Sequence, residues 1–387
     1  MKITFPHMGD AHLYGRILFS ELGIEIVTPP ANTLNGLEKG SEMSPDEICI
    51  PFKLMLANLM EAHRLGADTV IMPATMGPCR LGEYAELLKS ILDKRGYIFQ
   101  WILLDAASAI GKKELLRRLR FIVSDSPKRM PEILQALRGT FKIIKNLELL
   151  EQRAHMMAGY ETEQGACKKE LSACRRELTE AGGIESALNI LRRHLRNLEN
   201  IPLDFNRQPL ELLVAGEIFS MIEPFANHHI EDLLMDMGVS FQKKVTIGWW
   251  FNNLFSEMLH YKQIFGEKND YMPYAIGGYA QATVEEGIQC IRNGFDGIIQ
   301  IFPVGCMPEI VAKAVFSKMM REESLSILTV IYDEMGGEAG YITRIEAFVD
   351  MLERRRKAEG EKKQTSGFIP EVFLKKHRGK TNALSGH

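Results

Sequence analysis

Three of the six cysteines stand at sites suited to metal chemistry. Cys79 lies in Met76-Gly77-Pro78-Cys79-Arg80, Cys306 in Val304-Gly305-Cys306-Met307-Pro308, and Cys49 in Glu47-Ile48-Cys49-Ile50-Pro51. Each has a proline within two residues and stands just before, or on the approach to, a stretch of helical spacing. Cys79 and Cys306 also follow apolar β-rich runs, Asp68–Pro73 and Gly297–Pro303. A helix N-terminus lowers a thiol's pKa and favours bound negative charge. A thiolate-held iron–sulfur cluster is such a charge, and three thiolates rather than four leave one iron open to an external ligand, as catalysis requires. The competing reading is three small buried hydrophobes. No Cys-x-x-Cys pair is present, so the usual zinc and ferredoxin spacings are missing. Cys167, Cys174 and Cys290 read as structural.

Other side chains gather near the same strand ends and helix starts. Arg80 has the chemistry to offset cluster charge or to bind a carboxylate or phosphate. Glu309, just after Pro308, and Glu338, in Asp333-Glu334-Met335-Gly336-Gly337-Glu338, are candidate acid–base groups, although both also suit an ordinary helix start. His7 ends the first strand and so faces the same mouth. His228 and His229 lie in a loop and are weaker candidates for acid–base work. The Gly-rich turn at 336–340 is neither a Walker A sequence nor a GxGxxG fingerprint, so the chain is not expected to hydrolyse ATP itself.

The elements that must hold these groups read as two α/β units around a helical stretch. Residues 1–110 alternate strands (Ile3–Pro6, Gly23–Pro29, Asp68–Pro73, Tyr97–Leu104) with helices (His12–Leu22, Phe52–Leu65, Leu81–Lys94), which predicts βαβ units and a parallel sheet. Residues 111–205 carry helical patterns throughout and more Lys and Arg than Asp and Glu, and read as a helical insertion with a solvated basic face. Alternation returns over 206–355, with strands at Leu210–Ile218, Tyr274–Gly277, Gly297–Pro303 and Leu325–Tyr332 and helices at Glu285–Asn293, Pro308–Met320 and Gly340–Arg354. Residues 356–387 read as a loosely held basic tail. Two doubly wound parallel-sheet domains would each aim the carboxyl ends of their strands at a ligand site, and an interdomain cleft would join Cys79 to Cys306.

Composition narrows the function classes. The 387 residues are 45% hydrophobic and 25% charged, which excludes a mainly disordered chain. A net charge of −3 gives no whole-protein case for nucleic acid. No apolar run reaches the ~20 residues of a membrane span. The N-terminus runs straight into a strand without the pattern of a signal peptide, so the expected location is a reducing cytoplasm with thiols rather than disulfides.

At its cysteine motifs the sequence resembles a known family. Met1–Gly9, Ser44–Lys53, Gly77–Arg80 and Phe302–Glu309 are similar to the 2-hydroxyacyl-CoA dehydratase and benzoyl-CoA reductase superfamily, in the uncharacterised branch related to the CoA-substrate-specific enzyme activases. The likeness continues through Asp333-Glu334 and Gly337–Gly340 to Leu352; it is weakest over the helical insertion and absent from the tail. The resemblance implies two flavodoxin-like domains with an added helical region and one 4Fe–4S cluster per chain held by Cys49, Cys79 and Cys306. It further implies low-potential electrons supplied by a separate ATP-hydrolysing iron–sulfur activase, and a homodimeric or heterodimeric assembly. A sister branch carries a double-cubane cluster, which needs about six placed cysteines, and the three spare ones here match none of its motifs. Met335-Gly336 stands where relatives often carry His-Thr or His-Ser. The expected activity is that of an iron–sulfur reductase or dehydratase component acting on a small, acyl-CoA-type substrate at an open iron. The alternatives are a non-catalytic iron–sulfur relay or scaffold, and a zinc-bearing or metal-free small-molecule binder.

Overall fold

The structure is a computed structural model, and it describes residues 1–73, 80–104, 110–260, 269–274, 276–323, 325–334 and 337–359. Among these residues the chain is mixed α/β with two all-parallel sheets, of three and four strands, in keeping with two doubly wound units.

The first sheet has the order β1 (Ile3–Thr4), β2 (Thr69–Pro73), β3 (Gln100–Leu104). A single parallel bridge joins Ile26 to Ile3 on the other side of β1. The expected strand over Gly23–Pro29 is therefore reduced to one bridge, because Pro29 and Pro30 end the ladder directly after it. Counting that bridge, the spatial order is second-first-third-fourth. The second sheet repeats the order: β5 (Ser240–Lys243), β4 (Glu211–Gly216), β6 (Gly297–Pro303), β7 (Ser326–Tyr332). Each sheet thus has its topological switch point between its first and third strands, β1/β2 and β4/β6, where open α/β sheets bind ligands. β4 and β6 are buried along their whole length, as central parallel strands covered on both faces must be. At the end of β4, Gly216 has φ +150°, and a Cβ there would lie 1.9 Å from the Ile301 carbonyl oxygen, so only glycine allows the two strands this approach.

Helices α1 (Ala11–Leu22), α2 (Leu34–Met43), α3 (Ile50–Arg64) and α4 (Tyr84–Lys94) cover the first sheet. Tyr274–Gly277, expected as a strand, forms none among its described residues; the missing fourth strand of that sheet is β5, earlier in the chain. The helical stretch is α5 (Lys112–Ile122), α6 (Met130–Met157), α7 (Ala166–Thr179) and α8 (Ile184–Glu199). It is less solvated than its charge suggests. The inner face of α6 buries Ile143, Ile144, Leu147, Leu150 and Ala154 in the same cluster as β4 and α3, so this 28-residue helix forms part of the main core. The second unit continues with α9 (Ile218–Ile222), α10 (Ile230–Asp236), α11 (Ile247–His260), α12 (Ala280–Arg292), α13 (Met307–Glu323) and α14 (Glu338–Glu359). No described helix is long and apolar enough to cross a membrane.

Candidate functional site

The carboxyl ends of the two sheets meet. His7, three residues past β1, places Nδ1 3.0 Å from the Glu223 carboxylate, and the Gly9 amide donates to the same oxygen at 2.8 Å. Glu223 follows α9, beyond the end of β4, so this contact ties one switch point to the other. Burial alone raises the Glu223 pKa, but the His7 bond and the Gly9 amide hold it below the ordinary carboxylate value. A second tie joins Lys53, 1% exposed on α3, to Glu334 beyond β7, at 2.5 Å. Partial burial raises Glu334 and the Lys53 bond outweighs it, so this carboxylate too is held low.

Cys49 and Cys306 lie at this junction. Cys49 is the N-cap of α3, with φ −71° and ψ 153°, and Pro51 occupies the first turn, where its missing N–H costs nothing. Its Sγ contacts the hydroxyl of Tyr84, the first residue of α4. Cys306 is buried and directly precedes α13; its carbonyl accepts the Ile310 amide at 3.0 Å, the first helical bond. The two thiols come from different units yet act on one group, Tyr332, at the end of β7. Burial is the main reason the Tyr332 pKa lies well above 10, Glu217 adds to it, and the charges of Cys49 and Cys306 both push it further. Cys79, expected to complete the trio, lies outside the described residues, as do Met335 and Gly336. Its neighbour Arg80 opens the 3-10 turn Arg80–Glu83, which follows β2.

Behind Tyr332 runs a buried polar chain that sequence reasoning missed. The Tyr332 hydroxyl bonds Ser220 Oγ at 2.7 Å, and Ser220 Oγ donates to Glu217 Oε2 at 2.8 Å. Glu217 caps α9 by accepting the amides of Phe219 and Ser220, each at 2.9 Å, yet burial still leaves its pKa raised. The available signal was positional: Tyr332 is the last residue of a strand and Glu217 the first after one.

The remaining candidates are placed as follows. Glu309, 1% exposed, accepts Thr283 Oγ1 and Gln300 Nε2 at 2.9 Å each, so its carboxyl is held among α12, α13 and β6. Burial pushes its pKa up to about 7 against those two bonds. Glu338 is exposed at the first position of α14, and its charge acts on His228, whose pKa burial lowers. His228 and His229 have φ 51° and 53°, a left-handed pair that starts α10, and the His228 ring lies 4.8 Å from that of Tyr341. Cys167 and Cys174 are fully buried in the helical layer and Cys290 in α12, all away from this junction.

One other group of metal-ligand types gathers among the described residues: Glu151, His155 and Glu231. Lys243 Nζ lies 2.5 Å from Glu231 and 3.3 Å from Glu151, and Arg175 lies 2.6 Å from Glu151. Ammonium and guanidinium charges therefore stand where a metal cation would, and the cluster is compensated without one.

Against known proteins, residues 8–80 match the family described as a CoA enzyme activase uncharacterised domain. That segment carries α1 to α3, Cys49, Lys53, Cys79 and Arg80, and it stops short of Cys306. No curated protein matches the chain. The likeness is confined to the matched segment, which includes Gly9, Cys49 and Lys53 of the junction and begins just after His7.

Proposed function

We propose that the chain is an iron–sulfur component of the 2-hydroxyacyl-CoA dehydratase type. On this reading Cys49, Cys79 and Cys306 hold one 4Fe–4S cluster at the junction of the two α/β units. A separate ATP-hydrolysing activase supplies its electrons, and the substrate is a small compound of the acyl-CoA type. The observation that carries the reading is the convergence of Cys49 and Cys306 on Tyr332 from opposite units, each thiol at the start of a helix longer than three turns.

The residues present suit the group. Thiolates at helix N-termini are stabilised by the first-turn amides and the helix dipole. Both described thiols are at least partly withdrawn from water, which protects a cluster and tunes its potential. When bound, such a cluster supplies single electrons and, at an iron without protein sulfur, a Lewis acid for a substrate oxygen. The chain's own residues then have separable roles. Glu223 fixes the His7 ring at Nδ1 and leaves the other ring nitrogen for a proton or a substrate oxygen. The Lys53–Glu334 pair holds α3, and with it Cys49, against the second unit. Tyr332, bonded through Ser220 to Glu217, keeps its hydroxyl proton and presents a dipole of fixed direction at the end of β7.

The test uses protein purified without oxygen. Mixed with a cognate activase, ATP and reductant, it should develop a paramagnetic signal that the chain with ATP and reductant alone does not give. ATP hydrolysis by the isolated chain, or no signal beyond the activase's own, would contradict the reading.

A further inference from the structure

Residues 112–145, which form α5 and the first half of α6, concentrate positive charge. They hold seven more Lys and Arg than Asp and Glu, in a chain whose net charge is −3. Two of their three acidic residues are engaged locally. Glu114 accepts from Arg117 and Arg118, and Glu132 accepts the Arg129 amide at the start of α6. Lys113, Arg120, Arg138 and Lys142 stand exposed.

Among these cations are apolar side chains that the fold does not cover. Leu116 and Leu119 on α5, and Met130, Leu134 and Leu137 on α6, are each 39–57% exposed. Those on α6 recur at intervals of four and three, so they form one stripe along the helix, which Phe141 continues. Lys145 Nζ lies 4.8 Å from the centre of the Phe141 ring, so the stripe ends on a cation. The inner faces of the two helices share one cluster: Ile122 of α5 packs there with Ile133 and Ala136 of α6. Both helices thus lie over one patch of core and turn these leucines and cations away from it.

A single exposed leucine needs no explanation, but five large apolar side chains set among cations on adjoining helices do. Whatever covers them must be negative and must accept alkyl side chains. A second copy of the same face would bring like charges together. A nucleic acid would answer the cations and leave the leucines against hydrated phosphates. An anionic lipid surface answers both: its headgroups meet the Lys and Arg, whose alkyl stems lie along the apolar boundary, while Leu and Met enter it. No described helix is long and apolar enough to cross a membrane, so such a contact lies in the plane of the surface.

We propose that the outer faces of α5 and α6 dock the protein on an anionic lipid surface. The proposal is independent of the iron–sulfur reading, because none of these residues lies at the cysteine junction.

The test is co-sedimentation of the full-length protein with two kinds of vesicle, phosphatidylcholine alone and phosphatidylcholine with about one-third phosphatidylserine. The anionic vesicles should be preferred at least about tenfold, and the preference should fall as salt is added. Leu134→Gln/Leu137→Gln changes exposed positions and keeps good helix formers, so its melting temperature should match the parent's while binding to anionic vesicles drops about tenfold. Arg138→Gln/Lys142→Gln should weaken the same binding and flatten its salt dependence. A smaller preference, or binding that the leucine variant does not diminish, would overturn the proposal. So would a protein left in solution by both kinds of vesicle, and the face would then belong to an acidic protein partner.

Discussion

Glu309→Gln shows what the buried carboxyl at the start of α13 does. Its two oxygens are bonded to Thr283 and Gln300, and burial raises its pKa from 4.5 to about 7. A carboxyl raised on folding binds its proton more tightly in the native state. Its stabilising contribution is therefore complete below the unfolded value near 4.5, falls as pH rises, and is lost once the pH passes the folded value near 7. A shift of about two and a half units, at about 1.4 kcal/mol each, amounts to about 3 kcal/mol. Glutamine keeps the shape and cannot ionise. Its amide can face Thr283, whose hydroxyl then accepts, while its carbonyl accepts from Gln300. Urea unfolding of the full chain and of the variant at pH 5 and at pH 8.5 measures the difference. Since part of the loss is already complete at pH 5, the variant should gain about 2.5 kcal/mol on the parent between the two pH values. Glu286, also raised, titrates in both proteins; Glu309 contributes to that rise, so in the variant Glu286 is raised less and the change adds to the expected gain. A difference that stays within about 1 kcal/mol across that range would show that Glu309 is ionised in the folded protein. The tight polar pocket described for it would then be wrong.

Two further outcomes follow from the junction and the helical layer. Lys53→Met should destabilise the contact between the units by up to about 1 kcal/mol, since the solvent-exposed Glu334 loses its ion pair to a buried lysine, and Lys53→Met/Glu334→Gln should recover most of that loss in the same unfolding assay. Burial pushes the Cys174 thiol up to about 12 and Cys167 higher still, so neither should react with iodoacetamide at pH 8 until the protein unfolds, as mass spectrometry of the labelled chain would show.

Much of the architecture was legible because parallel central strands are written as continuous apolar runs. Gly297–Pro303 was read with its observed limits for that reason, and the helix starts at Cys49 and Cys306 were marked by proline at the first turn. The edge strand β5 was not legible: Ser-Phe-Gln-Lys has one apolar residue, and its lysine belongs to a buried ion-pair cluster rather than to solvent. Helix α2 escaped notice because Gly36 and Gly40 lower its helical signal. Gly40 is there for contact, since a Cβ would lie 2.1 Å from the Lys53 carbonyl oxygen, so α2 packs closely on α3. The basic stretch misled in the other direction. Charges line the outer faces of its helices, and the apolar inner face of α6 is spread too thinly along 28 residues to stand out. At the junction, the cysteines were visible as motifs. The groups that tie the units together, Lys53, Glu223, Ser220 and Tyr332, were not, because each is an ordinary residue until a partner some 100 to 280 positions away is brought to it.

The central claim is the ligand set, and iron content tests it most directly. Protein purified without oxygen should hold about four irons per chain. Cys49→Ala, Cys79→Ala and Cys306→Ala should each lose most of that iron, while Cys167→Ala, Cys174→Ala and Cys290→Ala should keep it. Full iron in the first three variants, or loss confined to the second three, would contradict the account.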